Sequence, residues 1–184
     1  MSSGGYKIRN KAGIHFITFA VVECVDVFTR PLYKDILLDS IRHCQAKRDL
    51  FLHAWCLMTN HVHLIASAKN NDTSEILRDF KKFTSKKIVA AIENNPQESR
   101  REWMLPIFRK HGEENSRNTN HQFWQQDNHP MECFGPAFTM QKLNYIHNNP
   151  VKAGIVDKAE EYLHSSARDY YYGKKCGLLD VVFL

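Results

Sequence analysis

Two apolar runs, residues 51–58 (FLHAWCLM) and 61–66 (HVHLIA), are separated only by Thr59 and Asn60. Runs this short and this apolar read as buried strands, and a two-residue spacer leaves a tight antiparallel hairpin as their connection. The flanking segments limit what that hairpin can join. Residues 14–25 (IHFITFAVVECV) are dense in β-branched and aromatic side chains and read as a first strand. After Pro31, residues 32–49 place Ile36, Leu37, Ser40, Ile41 and Cys44 at helical spacing, with Lys47 and Arg48 where the helix dipole favours cations. Residues 72–94 form a second, longer helix. Asp72 or Thr73 is its N-cap, Ile76, Phe80, Phe83, Ile88 and Ile92 face inward, and Pro96 ends it.

The order β-α-β-β-α needs one more strand to complete a split βαβ unit. Residues 122–126 (QFWQQ) are assigned to it. The expected class is therefore α+β: a ferredoxin-like antiparallel sheet with helices on one face, followed by a further helix toward the C-terminus. Residues 97–120 are charged and irregular, an insertion or loop with room for a short helix at 101–109. Residues 138–149 read as a helix stopped by Pro150, Ala153-Gly154 as a turn, and residues 159–172 as the helical part of a tail spanning 157–184. A chain of 184 residues suits one domain, here with a flexible lead at 1–11.

Composition excludes several classes. No apolar run reaches the ~18–20 residues of a membrane helix, and the polar, basic start is unlike a secretory signal, so a cytoplasmic protein is expected. Five cysteines, scattered and without a CxxC pair, argue against a disulfide framework and against a structural zinc site. Cys24, Cys44 and Cys56 lie among apolar neighbours and are expected to be small buried hydrophobes. The net charge of +5 and the pI near 8.9 favour an anionic partner.

His61 and His63 carry the most specific chemical signal. Residues i and i+2 of a strand project to one face, so the two imidazoles point together while Val62 faces the apolar side. Such a pair can hold a divalent cation, and further oxygen ligands from phosphate extend the choice to Mg²⁺ or Mn²⁺. A third ligand is available in residues 144–150 (NYIHNNP). At the end of a helix, Tyr145 and Asn149 are i and i+4 and share a face, whereas His147 points elsewhere. Asn149 offers a carbonyl oxygen to the cation, and Tyr145 reaches the substrate beside it. A phenol is a weak nucleophile until a cation on the scissile phosphate makes phosphorus more electrophilic, and the product is then a phosphotyrosine. Tyr170, Tyr171 and Tyr172 compete for the role but form a consecutive aromatic run suited to a surface or a core edge.

The strings WCLMTNHVHLI (residues 55–65) and YIHNNPVKAGIV (residues 145–156), in this order, resemble the single-tyrosine HUH transposases, in particular the REP-associated tyrosine transposases related to small insertion-sequence enzymes. The resemblance runs from the first strand through SSARDYYY (residues 165–172). It implies a ferredoxin-like fold and cleavage of single-stranded DNA near imperfect hairpins through a 5′-phosphotyrosine. It also implies a Mg²⁺ or Mn²⁺ cofactor and a bacterial-type cytoplasmic protein, nucleoid-associated when bound to DNA, acting as a monomer or homodimer. His61 and His63 then match the histidine pair, Tyr145 the nucleophile and Asn149 the third ligand, where insertion-sequence relatives more often carry glutamine. Thr59 stands where many members have proline, a departure confined to the hairpin.

DNA contact is expected from Arg78, Lys81, Lys82, Lys86 and Lys87 on the second helix, with Arg78, Lys82 and Lys86 in one i+4 stripe, and from Arg100 and Arg101. Arg109, Lys110 and Arg117 prolong the charge, and Trp103, Phe123 and Trp124 are candidates for base stacking or for the core. Two other readings compete. A non-catalytic nucleic-acid-binding module would expose aromatics on its strands rather than histidines, and a metal-dependent phosphodiesterase would have no need of Tyr145.

Overall fold

The computed structural model describes residues 8, 10–69, 73–115, 120–126 and 130–184. Strand β1 (His15–Ala20) leads through two short 3-10 turns into helix α1 (Pro31–Arg48), then β2 (Leu50–Leu57) and β3 (His61–Ala68). The hairpin closes across Thr59-Asn60, with the Met58 N–H donating to the His61 carbonyl at 2.8 Å. Helices α2 (Thr73–Asn94) and α3 (Arg101–Glu113), strand β4 (Met131–Glu132), helix α4 (Gly135–Lys152) and the short α5 (Ala167–Tyr172) complete the order. The sheet runs β2-β3-β1-β4 with every neighbouring pair antiparallel, which is the ferredoxin-like arrangement.

The alternation of β3 divides the interior. Val62, Leu64 and Ala66 join Ile17 and Phe19 of β1 beneath α1 and α2 in the larger core. On the opposite face, Ile65 joins Phe16, Ala54, Cys56 and Met58 in a smaller core that receives Leu143 and Ile146 of α4. A bulge between Leu52 and Ala54 shifts the pairing of β2 by one residue. Before it, Leu50 and Leu52 face the larger core; after it, Trp55 and Leu57 do. The extra residue reverses the phase and leaves the small side chains Ala54 and Cys56 where α4 must approach.

Several elements differ from the sequence reading. The fourth strand is Met131–Glu132, not residues 122–126, where Trp124 makes only an isolated bridge to Val21. Phe123 and Trp124 are successive yet both buried, and the Trp124 indole donates to Thr84 Oγ1 at 3.0 Å, so the segment turns into the core instead of pleating. β1 ends at Ala20, because Glu23 and Cys24 adopt left-handed backbone at φ 50 and 54. Residues 97–120 contain a helix of 13 residues whose Met104, Leu105 and Phe108 are buried. Pro150 does not stop α4, which continues to Lys152 with Pro150 in its last turn. The expected helix at 159–172 is reduced to a 3-10 turn, Ala159–Glu161, and α5. Between these, Leu57 N–H donates to the His164 carbonyl at 2.9 Å and Ser166 N–H to the Trp55 carbonyl at 3.0 Å. Covering the open edge of β2 satisfies more backbone groups there than a helix would. Phe83 is exposed rather than inward, and Cys24 is exposed whereas Cys44 and Cys56 are buried. Asp72 and Arg117 lie outside the described residues, as does most of the lead at 1–11.

Arg100, expected to contact DNA, is engaged within the fold. Its guanidinium bonds Glu98 at 2.9 Å and reaches Asp26 Oδ1 at 3.2 Å and Thr29 Oγ1 at 2.9 Å. The Glu98 side chain is fully buried, with Arg30 at 3.3 Å as a second cation. The hydrogen bond from Arg100 outweighs desolvation and lowers the Glu98 carboxyl from its ordinary 4.5 to about 2. A depressed carboxylate stabilises the fold above its unfolded pKa and ceases to do so as pH falls through the folded one. The contribution here is roughly 3 kcal/mol. We therefore expect stability to fall between pH 4.5 and 2, and Glu98→Gln to lower the melting temperature at neutral pH and flatten that acid limb. Parallel wild-type and variant curves through this window, followed by circular dichroism, would contradict the assignment.

Candidate active site

The site forms where α4 crosses the face of β3 that carries His61 and His63. The imidazole centroids are 4.6 Å apart. Phe16, from the neighbouring β1, is the floor: its ring stacks on His63 at 5.6 Å and meets Tyr145 edge-on at 5.9 Å. The Tyr145 ring lies 5.3 Å from that of His63, and Tyr145 is 41% exposed, so the phenol is open to a large substrate. One turn further along α4, Asn149 Nδ2 donates to His63 Nε2 at 3.3 Å. This places Tyr145 and Asn149 on one face, as their spacing requires. Continuation of the helix through Pro150 keeps Asn149 in that register.

Which nitrogen each histidine offers follows from its other hydrogen bond. Asn60 donates its amide Nδ2–H to the Cys24 carbonyl at 3.1 Å, which can only accept. Its Oδ1 therefore faces His61 Nδ1, 2.5 Å away, and that nitrogen must carry the proton. His63 accepts from Asn149 at Nε2, so its Nδ1–H donates to Thr18 Oγ1 at 2.7 Å. Both rings thus keep an Nε2 lone pair. Burial holds His61 below its ordinary pKa against an opposing hydrogen bond with Asn149. Burial, then the nearby His61 and Lys142, lower His63 to about 3. Two neutral imidazoles with Nε2 lone pairs and an adjacent amide that also carries a carbonyl oxygen are a donor set that fits a divalent cation. Among the described residues no Asp, Glu or Cys joins the two histidines and Asn149.

The remaining expected residues are dispersed. His147 is buried behind the site, 2.9 Å from the Ser166 hydroxyl, with its pKa lowered to about 4 by burial. Helix α2 packs against the opposite face of the sheet, so Lys82, Lys86 and Lys87 are exposed but separated from Tyr145 by the sheet. On the same helix Arg78 pairs with Asp79, and Lys81 donates to the Gln125 carbonyl at 2.8 Å. Arg101 donates to the Glu93 carbonyl at 3.3 Å. Thr18 and Asn60, which orient the histidines, were missed; Thr18 is 45 residues from its partner, and no local pattern connects them.

The family model described as an IS200-like transposase matches residues 10–105, just over half of the 184. That stretch includes Thr18, Asn60, His61 and His63. The chain belongs to the IS200-like transposase family. The matched region ends before α4, so the family model itself does not reach Tyr145 or Asn149. A solved structure of a REP-associated tyrosine transposase bound to a REP hairpin is similar over 100% of this chain and 95% of that one. Its TM-score is 0.65 at 20% identity, a likeness of fold that includes α4. No curated protein gives a match. As an IS200-like transposase, the protein is a DNA transposase, and no described helix is long and apolar enough to cross a membrane.

Long-range ¹H–¹⁵N spectra of the metal-free protein at neutral pH should read both His61 and His63 as Nδ1–H tautomers. Asn60→Ala should let His61 mix tautomers while His63 stays fixed. A wild-type Nε2–H signal on either ring would refute the hydrogen-bond assignment.

Proposed function

We propose that this protein is a divalent-metal-dependent single-strand DNA endonuclease and strand transferase of the REP-associated tyrosine type, cutting near a hairpin through Tyr145. The observation that carries the reading is the approach of one exposed tyrosine to within 5.3 Å of a neutral histidine pair, with Asn149 on the same helix face. His61 and His63 would hold a Mg²⁺ or Mn²⁺ ion through Nε2, and Asn149 through its carbonyl oxygen. When bound, the ion supplies Lewis acidity to the non-bridging oxygens of the scissile phosphate. Thr18 and Asn60 keep the histidine lone pairs directed inward, and Phe16 holds the faces of His63 and Tyr145 in register.

In the reaction, Tyr145 Oη loses its proton and forms a bond to phosphorus, the P–O3′ bond breaks, and the departing oxygen takes up a proton to become a 3′-hydroxyl, leaving no net change in protons. The 5′-phosphate remains on Tyr145. Attack by a second 3′-hydroxyl reverses the exchange and joins a new strand, with the bond energy kept in the phosphotyrosine. The exposed lysines of α2, across the sheet from this chemistry, are suited to DNA at a distance from the cut, such as a hairpin stem. Coverage of the β2 edge by residues of the same chain supports a monomer. The whole chain then acts as one catalytic domain, its C-terminal segment closing the sheet.

The test is a denaturing gel of protein incubated with labelled single-stranded hairpin DNA and Mn²⁺. Wild type should give a covalent adduct. Tyr145→Phe should give none, and His61→Ala should reduce it at least 100-fold, on the order of the 2.7 kcal/mol or more associated with losing a key electrostatic group. An adduct from Tyr145→Phe as strong as that from wild type would exclude this mechanism. Cleavage that survives the substitution without an adduct would point to a hydrolytic phosphodiesterase.

A further inference from the structure

Helix α4 carries more toward the substrate than Tyr145 and Asn149. Phe138, Lys142, Tyr145, Asn149 and Lys152 follow one another at spacings of four, three, four and three. At 3.6 residues per turn they occupy a single stripe. The face turned to the sheet is a different one, made by Leu143, Ile146, His147 and Pro150.

The two lysines on this stripe are held by rings rather than by carboxylates. Lys142 Nζ lies 4.9 Å from the Phe16 centroid and 5.1 Å from that of Phe138. Lys152 Nζ lies 5.7 Å from the Tyr145 centroid. Among the described residues neither forms an ion pair, in contrast to Arg48, Arg100 and Arg109, each of which has an acidic partner. Phe16 links Lys142 directly to the site, since it also contacts His63 and Tyr145. Two cations without an acidic partner among the described residues therefore flank the tyrosine, in a centre where no described acidic side chain joins the histidines. Adding a divalent ion to that centre would leave the positive charge still less compensated. A polyanion lying along α4 is the complement that such a stripe requires.

We infer that Phe138, Lys142 and Lys152 form a track for the single-stranded DNA that flanks the scissile phosphate. Lys142 and Lys152 contact phosphates on either side of the one facing Tyr145, and Phe138 stacks on an unpaired base. Phe134, 71% exposed just before the first turn of α4, marks the open end of the track. Cation–ring contacts suit this task because they hold each ammonium in place while leaving its hydrogen-bond donors for phosphate. The inference rests on the proposed phosphotyrosine reading for its placement of the scissile phosphate.

The experiment is fluorescence anisotropy of a labelled single-stranded oligonucleotide and of a blunt hairpin without single-stranded flanks. Both are measured in EDTA across a salt series, with adduct formation in Mn²⁺ measured separately. Lys142→Met, which keeps the apolar stem, and Lys152→Gln should each weaken single-strand binding severalfold. Each should also reduce the slope of log K against log salt by about 0.7, the value for one phosphate contact on a single strand. Lys142→Arg should restore the slope. Phe138→Ala should weaken binding about fivefold to a hundredfold with the slope unchanged. Blunt-hairpin binding should be unaffected by all four. Lys152 is exposed, so its variant reads the track even if Lys142→Met proves unstable on melting. Unchanged affinity and slope in Lys152→Gln and in folded Lys142→Met, while wild type still forms adducts, would overturn the track and leave the phosphotyrosine reading standing. Equal losses on the blunt hairpin would also overturn it. Absence of any wild-type adduct, with the slope changes present, would uphold the track and remove the nucleophile.

Discussion

The apolar contact between α4 and the second face of the sheet carries the site. Leu143 and Ile146 are at most 3% exposed, set among Phe16, Ala54, Cys56, Met58 and Ile65. Burying two such side chains contributes roughly 1.5–3 kcal/mol each, enough to fix the helix against the strands. With that face fixed, the helical period determines where Tyr145 and Asn149 point. The contact exists only because small residues lie beneath it, and they lie there because the bulge in β2 reverses its phase after Leu52. In an unbulged strand, Trp55 and Leu57 would meet α4, and the helix would stand further from His63.

A second layer of order lies behind the histidines. Asn60 is held by the Cys24 carbonyl, and that carbonyl is delivered by a turn with two consecutive non-glycine residues in the left-handed region. Such backbone costs on the order of 1 kcal/mol or more per residue and persists only where its surroundings require it. Here the turn ends β1, directs the chain into α1 and fixes the orientation of the His61 imidazole. Thr18 does the same for His63 from the adjacent strand. The tautomers are thus set by Thr18 and Asn60, which lie outside the proposed ligand set.

The cations of the molecule divide into two populations. Arg100 and Arg30 are committed to a buried carboxylate that ties residues 98–100 to the start of α1, while the lysines beside Tyr145 have no acidic partner among the described residues. Sequence spacing cannot separate these cases, since Arg100 and Lys142 are both basic residues in polar stretches. The difference is where Glu98 folds to, a matter of long-range packing. The fourth strand was missed for a similar reason. Phe123 and Trp124 have strand-forming side chains, but a hydrogen bond to Thr84 and two successive buried rings draw them out of the pleat. Pro150 reads as a stop in the sequence, yet the last turn of α4 accommodates it.

What the sequence determined is local and periodic. Two-residue alternation put His61 and His63 on one face of β3, and the i, i+4 spacing put Tyr145 and Asn149 on one face of α4. Each relation is imposed by the geometry of its own element, whatever surrounds it. What only the tertiary structure decided is that these two faces meet. It also decided that Phe16, Thr18 and Asn60 surround them, and that Arg100 turns inward while Lys142 does not. Those outcomes depend on packing between segments far apart in the chain: 86 residues separate His63 from Asn149, and 111 separate Trp55 from Ser166. A β-bulge and an edge covered by the C-terminal segment set that packing, and neither leaves a periodic mark in the chain.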